Sequence, residues 1–354
     1  MISLLDRYIA TRLLLATALV LAVLLALMMF LVVVDSLADY GQANFNLYQL
    51  ARYTLLSQPR RVYEIFPVAT LIGTLLGLSA LAVNAELVAM RAAGVSVSKI
   101  VFSAMKVGLV LAIGTTALGE FVVPATENQA QVGRATALAR GLQKKGSGLW
   151  LRDQENFVNI REVLPDSTLL RVTIYSFTED MQLRSQTRAE RAVFEGDGWR
   201  LEEVRASDVS AKGIKVRRAD KELWPTGLTR DVVGVFAVKP EGLSILHLVR
   251  YIDHLRSNGQ NTELYRLTLW QKLLMPLAVM VMVLLATPFT FAPVRGGGLS
   301  RRIFGGIVLG LAFVLTTRLF GHFGLLYGLS PFFGAVLPIL LFFGGALVML
   351  RRAS

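Results

Sequence analysis

The stretch LLLATALVLAVLLALMMFLVVV, Leu13–Val34, runs for 22 residues without a charge. A helix rising ~1.5 Å per residue needs about 20 residues to cross ~30 Å of hydrocarbon, so this segment is long enough to span a membrane. Ser36-Leu37-Ala38, just beyond it, resembles a small-residue cleavage site. The apolar core is nevertheless too long for a signal peptide, and the segment reads as an uncleaved anchor. Five more windows of the same kind follow: Ile65–Val83, Val101–Gly119, Leu273–Phe291, Ile303–Leu326 and Leu329–Leu350. Across the 354 residues, 54% are apolar and the mean hydropathy is +0.53, which excludes an ordinary soluble domain.

The net charge of +12 invites a nucleic-acid reading until the charges are located. Much of the excess lies beside the apolar windows, where it orients a membrane protein instead of building a phosphate-binding patch. Arg7, Arg12, Arg91, Lys99, Arg295, Arg301, Arg302, Arg351 and Arg352 fall on one side, which the positive-inside rule makes the cytoplasm, with both termini there. The opposite short segments carry Asp35, Asp39, Arg52, Arg60, Arg61 and Arg318. Arg60 and Arg61 run against the rule, and such violations can mark functional charges. The absence of Cys excludes disulfides, thiolate metal sites and cysteine nucleophiles.

Between the third and fourth windows the pattern changes to strict alternation, as in Leu170-Arg171-Val172-Thr173-Ile174. Turn signals stand at Glu179-Asp180, Asp197-Gly198 and Lys212-Gly213. These features predict antiparallel strands in a sandwich or jelly roll, with Leu170, Val172 and Ile174 turned toward an apolar interior. Helical patterns flank the strands at residues 125–145, ending at Gly146, and at 243–257, ending at Asn258-Gly259. The expected fold class is therefore an α-helical polytopic membrane protein, six helices in a three-plus-three arrangement, with an inserted all-β domain. The boundaries read as 1–124, 125–265 and 266–354.

No phosphate-cradling loop is present: Gly296-Gly297-Gly298-Leu299-Ser300 lacks the lysine, so the chain is not expected to hydrolyse ATP. His247 and His254 share a helical face without a carboxylate cluster and read as surface histidines, and no cofactor or metal is expected. Lys106 lies close enough to a membrane face to snorkel. Arg318 lies deep in the fifth window, with His322 one turn on. It can bridge Glu120 at the outer end of the third window, or bind an anionic substrate. The loop segment Glu86-Leu87-Val88-Ala89-Met90-Arg91-Ala92-Ala93-Gly94 reads as a short amphipathic helix closed by glycine, suited to a groove on a cytoplasmic protein.

That loop, with Phe66-Pro67 before it, resembles the coupling-helix region of the permease family of the lipopolysaccharide exporter, LptF/LptG. Trp270-Gln271-Lys272 with Pro276, Pro293, Arg295 and Gly305-Gly306 resembles it too, as does Tyr327-Gly328-Leu329-Ser330-Pro331 through Pro338. The start Leu5-Asp6-Arg7-Tyr8-Ile9 and the ending Leu326-Tyr327-Gly328 are more similar to the G-type paralogue than to the F-type. The resemblance implies an inner-membrane heterodimer with an F-type permease, served by two copies of a cytoplasmic ATPase that uses ATP and magnesium. It implies a single-span bridge protein as a further partner and extraction of lipopolysaccharide from the membrane toward a periplasmic β-jelly-roll relay. It also makes 85–94 the coupling helix, with Glu86, Leu87, Met90 and Arg91 as the ATPase contacts. Family members carry lysines at the outer end of the first helix that meet lipid phosphates, whereas Val32-Val33-Val34-Asp35-Ser36-Leu37-Ala38-Asp39 has none. Arg134 matches a family arginine. Arg52, Arg60, Arg61 and Arg318 are further candidates by side and depth.

The charge-free first and sixth windows suit a lipid substrate, and suit equally helices that face the bilayer. A mechanotransmission or lipoprotein-export subunit would place its extracytoplasmic domain after the first helix, and here the insert follows the third. A membrane-anchored scaffold would need neither six spans nor the loop helix.

Overall fold

The computed structural model describes residues 4–41, 44–138, 143–145, 148–153, 156–164, 167–178, 182–196, 198–210, 213–226, 228, 233, 239–257, 261–291, 299–328 and 330–353. Gly146, Glu179-Asp180, Asp197, Lys212, Asn258-Gly259, the run from Pro293 to Gly298, and Leu329 lie outside the described residues.

The apolar windows form α1 (Leu4–Ser36), α2 (Leu47–Val83), α4 (Val97–Ala117), α7 (Glu263–Phe291), α8 (Leu299–Leu326) and α9 (Pro331–Ala353). Shorter helices are α3 (Glu86–Ala92), α5 (Val123–Leu138) and α6 (Ile245–Ser257). A π-helical turn, Leu118–Val122, joins α4 to α5. Among the described residues, six helical stretches are long and apolar enough to cross a membrane, as expected. They outrun the windows because helical hydrogen bonding continues through polar turns, and a window ends where apolar residues stop.

The chain divides into two compact units. One gathers the chain up to Val32, Ser57–Thr126 and the part from Leu243 onward; the other holds Val33–Leu56 and Glu127–Gly242.

In the first unit α2 and α7 lie inside and α1 and α8 outside. Of their most apolar stretches, 67% and 61% of residues are buried in α2 and α7, against 17% in each of α1 and α8. Lipid supplies no hydrophobic push between helices, so close approach depends on small residues. A Cβ on Gly73 would lie 2.4 Å from Thr17 Cα, and one on Gly77 2.8 Å from a Leu13 methyl, so α1 sits directly on the α2 backbone. Gly306 and Gly310 of α8 receive Leu75 and Val68 of α2 in the same way. Buried Asp6 accepts from Ser103 Oγ at 2.6 Å and Lys106 Nζ at 2.8 Å. Lys106 therefore pins α1 to α4.

In the second unit seven antiparallel strands follow one another in sequence order: β1 (Gln143–Lys145), β2 (Gly148–Asp153), β3 (Asn156–Val163), β4 (Leu169–Phe177), β5 (Leu183–Glu195), β6 (Gly198–Ser210) and β7 (Gly213–Pro225). The expected all-β insert is thus built as a meander, in which every pairing among the described residues joins sequence neighbours. Residues 143–145, expected to close a helix, form the first strand, and the helix ends at Leu138. Glu195 pairs with Gly198 and Ser210 with Gly213 across two-residue hairpins, with Gly196 and Gly213 at positive φ.

One face of the sheet buries a single apolar cluster around Trp199, whose Nε1 donates to Leu228 O at 2.8 Å. The expected triplet Leu170, Val172 and Ile174 does not stay in phase. Arg171 takes a left-handed conformation, φ +52°, which shifts the alternation by one residue. Leu169, Val172 and Ile174 enter the core, while Leu170 is only partly covered. Glu203, φ +55°, marks a similar break in β6.

Candidate functional site

The loop helix α3 starts from Ala85 at φ +56° and closes at Gly94, φ +84°, where Val95 N donates to Met90 O at 3.0 Å. Leu87 is buried in one cluster with Ile9, Leu13, Leu78 and Ile100, and Met90 packs against it. Those two expected contact residues therefore hold α3 on the bundle, and Val88 and Arg91 face outward. Glu86 Oε2 accepts from Tyr8 Oη at 2.7 Å, and Arg12 Nη2 donates to the same Oη at 3.0 Å. Glu86 thus bonds α3 to α1.

The cation candidates separate into groups. Arg134 donates from both Nε, at 3.0 Å, and Nη2 to the single oxygen Asp39 Oδ2, and stacks over the Tyr53 ring at 5.0 Å. Arg52 and Arg134 line one shallow cleft with Gln49, Tyr53, Gln129 and Gly133. Arg60 Nε pairs with Glu64 Oε1 at 2.8 Å, and Arg61 Nη1 lies 3.5 Å from Glu64 Oε2. Glu64 is the partner that explains how two arginines stand on the less basic side, and its i+4 and i+3 spacing was visible in the sequence. Arg318 is exposed on α8 and makes no ion pair among the described residues.

The bridge from Arg318 to Glu120 is absent. Glu120 lies in the π turn and accepts from Ile245 N at 2.8 Å, capping α6. Tyr63 lies against Gly119, where a Cβ would meet its ring at 2.3 Å, and Lys272 stands over that ring at 5.7 Å. Lys272 is buried and donates to Leu243 O. Sequence reasoning passed over this lysine because it sits one residue before the fourth window. Its side chain instead turns inward, and the polar Trp270-Gln271-Lys272 run ahead of the apolar block was the available signal.

His247 is exposed at the start of α6, with Ser244 Oγ 2.7 Å from Nδ1, as suits a helix-cap residue; the His254 side chain lies outside the described residues. No group of three or more His, Asp or Glu that could hold a metal is present among the described residues.

Six membrane-spanning helices, a β insert after the third and a tethered loop helix after the second make a three-plus-three permease layout. The sequence pattern of the lipopolysaccharide export system permease LptF/LptG matches residues 7–352. The chain belongs to this family. The lipopolysaccharide export system permease protein LptG of Escherichia coli strain K12 is 38% identical over 354 residues, covering 99% of this chain and 98% of that protein. LptG of Haemophilus influenzae is 35% identical over 345 residues, 97% of this chain and 96% of that protein. The similarity to the G-type paralogue read from the two chain ends thus extends over the whole LptF/LptG length.

Proposed function

We propose that this chain is one permease subunit of a complex that extracts lipopolysaccharide from the inner membrane, working with an F-type paralogue and two copies of a cytoplasmic ATPase. The observation that carries the reading is the end-to-end match to the permease family, with spans and insert together. The crowding of Arg7, Arg12, Arg91, Lys99 and Arg351 on one side supports cytoplasmic termini and loop helix, and a periplasmic sheet. A single-span bridge protein would receive the lipid beyond the sheet. ATP and magnesium would be used by the ATPase alone.

In this reading α3 docks on the ATPase through Val88 and Arg91, with Glu86 joining that contact to α1 through Tyr8. Arg134 takes a lipid phosphate by exchanging Asp39 for it, and Arg52 in the same cleft adds a second cation. Arg60, Arg61 and Arg318 supply further cations at the outer membrane face. Leu169, Val172 and Ile174 form the apolar side of the sheet that accepts acyl chains, which requires the cluster around Trp199 to open.

The test is assembly and lipid release with the reconstituted complex. Val88→Asp with Arg91→Glu should release the ATPase from an otherwise folded permease pair, and Tyr8→Phe should keep the ATPase bound while lowering lipid release per ATP. Full ATPase retention by the double variant would remove α3 as the docking element.

A further inference from the structure

Across the sheet, register places Thr173 opposite Arg188, Arg188 opposite Arg205, and Arg205 opposite Arg218. Directly opposed residues on antiparallel strands hold their Cβ atoms about 5 Å apart, and like charges so placed destabilise the sheet. All three arginines are exposed, and their neighbours Ala189, Val204 and Ala206 are buried, so the row stands on the side away from the core.

Other arginines of the sheet stand beside carboxylates. Arg217 Nη2 reaches Glu222 at 2.8 Å, and Arg200 pairs with Glu195 and, at 3.4 Å, with Glu202. Among the described residues no carboxylate comes within ion-pair distance of Arg188, Arg205 or Arg218. Glu190, Glu203 and Asp220, two residues along each strand, stay apart from them. The row therefore costs the fold something and returns nothing to it, which is how a ligand site differs from a structural charge network.

The same side carries an aromatic pair. Trp150 of β2 and Tyr175 of β4 stack at 5.8 Å between centroids and 17° between planes. Tyr175 stands two residues from Thr173, the fourth member of the arginine row. Planar guanidinium forks favour phosphate oxygens, and an aromatic face offers a flat apolar surface to a sugar ring.

Building on the proposed function, we propose that this side of the sheet binds the phosphorylated saccharide head of the exported lipid, with Arg188, Arg205 and Arg218 on its phosphates and Trp150–Tyr175 against a sugar ring. The acyl chains belong to the opposite, apolar side, so the two faces divide the amphiphile between them.

The experiment titrates the full permease complex in detergent with deacylated lipopolysaccharide oligosaccharide, either phosphorylated or stripped of phosphate. Arg188→Gln, Arg205→Gln and Arg218→Gln combined should weaken the phosphorylated probe about tenfold or more, leave the stripped probe unchanged, and hold or raise Tm because the repulsion is relieved. Tyr175→Ala should weaken both probes. The inference fails if the parent binds both probes equally, if the triple variant binds like the parent, or if its Tm falls while binding persists. It fails also if single-stranded oligonucleotide or anionic phospholipid competes as well as the oligosaccharide, since the row is then a general anion surface. Lipid release by the parent complex is measured alongside. A complex that releases lipid but ignores the oligosaccharide overturns this inference alone, whereas one that releases no lipid overturns the reading beneath it.

Discussion

In the sheet, Trp199, Ile160, Leu169 and Leu201 are buried together, whereas in α1 the equally apolar Leu15, Leu19, Val23 and Phe30 are exposed, although α1 is the most apolar of the six spans. In water, an apolar side chain gains ~25 cal/mol per Å² by leaving solvent, so apolarity and burial coincide in the sheet. In a bilayer the surroundings are already apolar, and burial is decided by who packs closely. The best-buried span, α2, is instead the one that carries Gly73 and Gly77 and the prolines Pro59 and Pro67. The same residue types thus predict opposite locations in the two regions.

The sharpest way to break this comparison is in the sheet core. Trp199→Ala removes a fully buried indole and its bond to Leu228 O, and should cost about 3–5 kcal/mol of sheet stability. Hydrogen exchange of the whole chain in micelles should show β5 and β6 losing protection while α2 and α7 keep theirs. Equal loss in both would mean that the two units fold as one.

The span counterpart targets a small residue. Gly73→Val sets new atoms on Thr17 Cα, at 2.4 Å, and Thr17 Oγ1, at 2.5 Å, and backbone cannot yield as a side chain can. Overpacking of that kind costs about 1–3 kcal/mol, read as a lowered Tm in detergent and as new protease access to α1. Gly114, with open space around its Cβ position, should tolerate alanine at no measurable cost and serves as the control.

What the sequence disclosed follows the same division. The spans, the insert and the loop helix were legible because each depends on local patterning, and Leu13–Val34 and Glu86–Gly94 needed no partner to be recognised. The phase of β4 was not, because nothing in Leu170-Arg171-Val172 announces that a non-glycine residue will take φ +52°. Asp6 with Lys106 and Tyr8 with Glu86 lie 100 and 78 residues apart, so those bonds exist only once the helices pack. Glu64 beside Arg60 and Arg61 was available from spacing alone, and placing the arginines by side and depth overlooked it. Glu120 pointed the wrong way for a reason of its own: the π turn aims its carboxylate at Ile245 N, and a regular helix was assumed.

The smallest expected effect is the most discriminating. Leu19 projects from α1 with 64% of its surface exposed, whereas Asp6, Ile9, Leu13, Thr17 and Val20 of the same helix are buried against the chain. A Leu→Ala change in a packed core costs about 2–5 kcal/mol because a cavity is left. At Leu19 no cavity can form, since detergent or lipid refills the space, and Leu19→Ala should shift stability by less than about 0.5 kcal/mol. The Tm of the purified single chain is the measurement, set beside Leu78→Ala, whose side chain is wholly buried on α2. A matching loss at both positions would mean that α1 is packed as tightly as a soluble core, and the rule drawn from the spans would fall. A neutral Leu19→Ala that weakens pairing with the paralogous subunit proposed above would instead indicate that this exposed apolar face is kept for a partner.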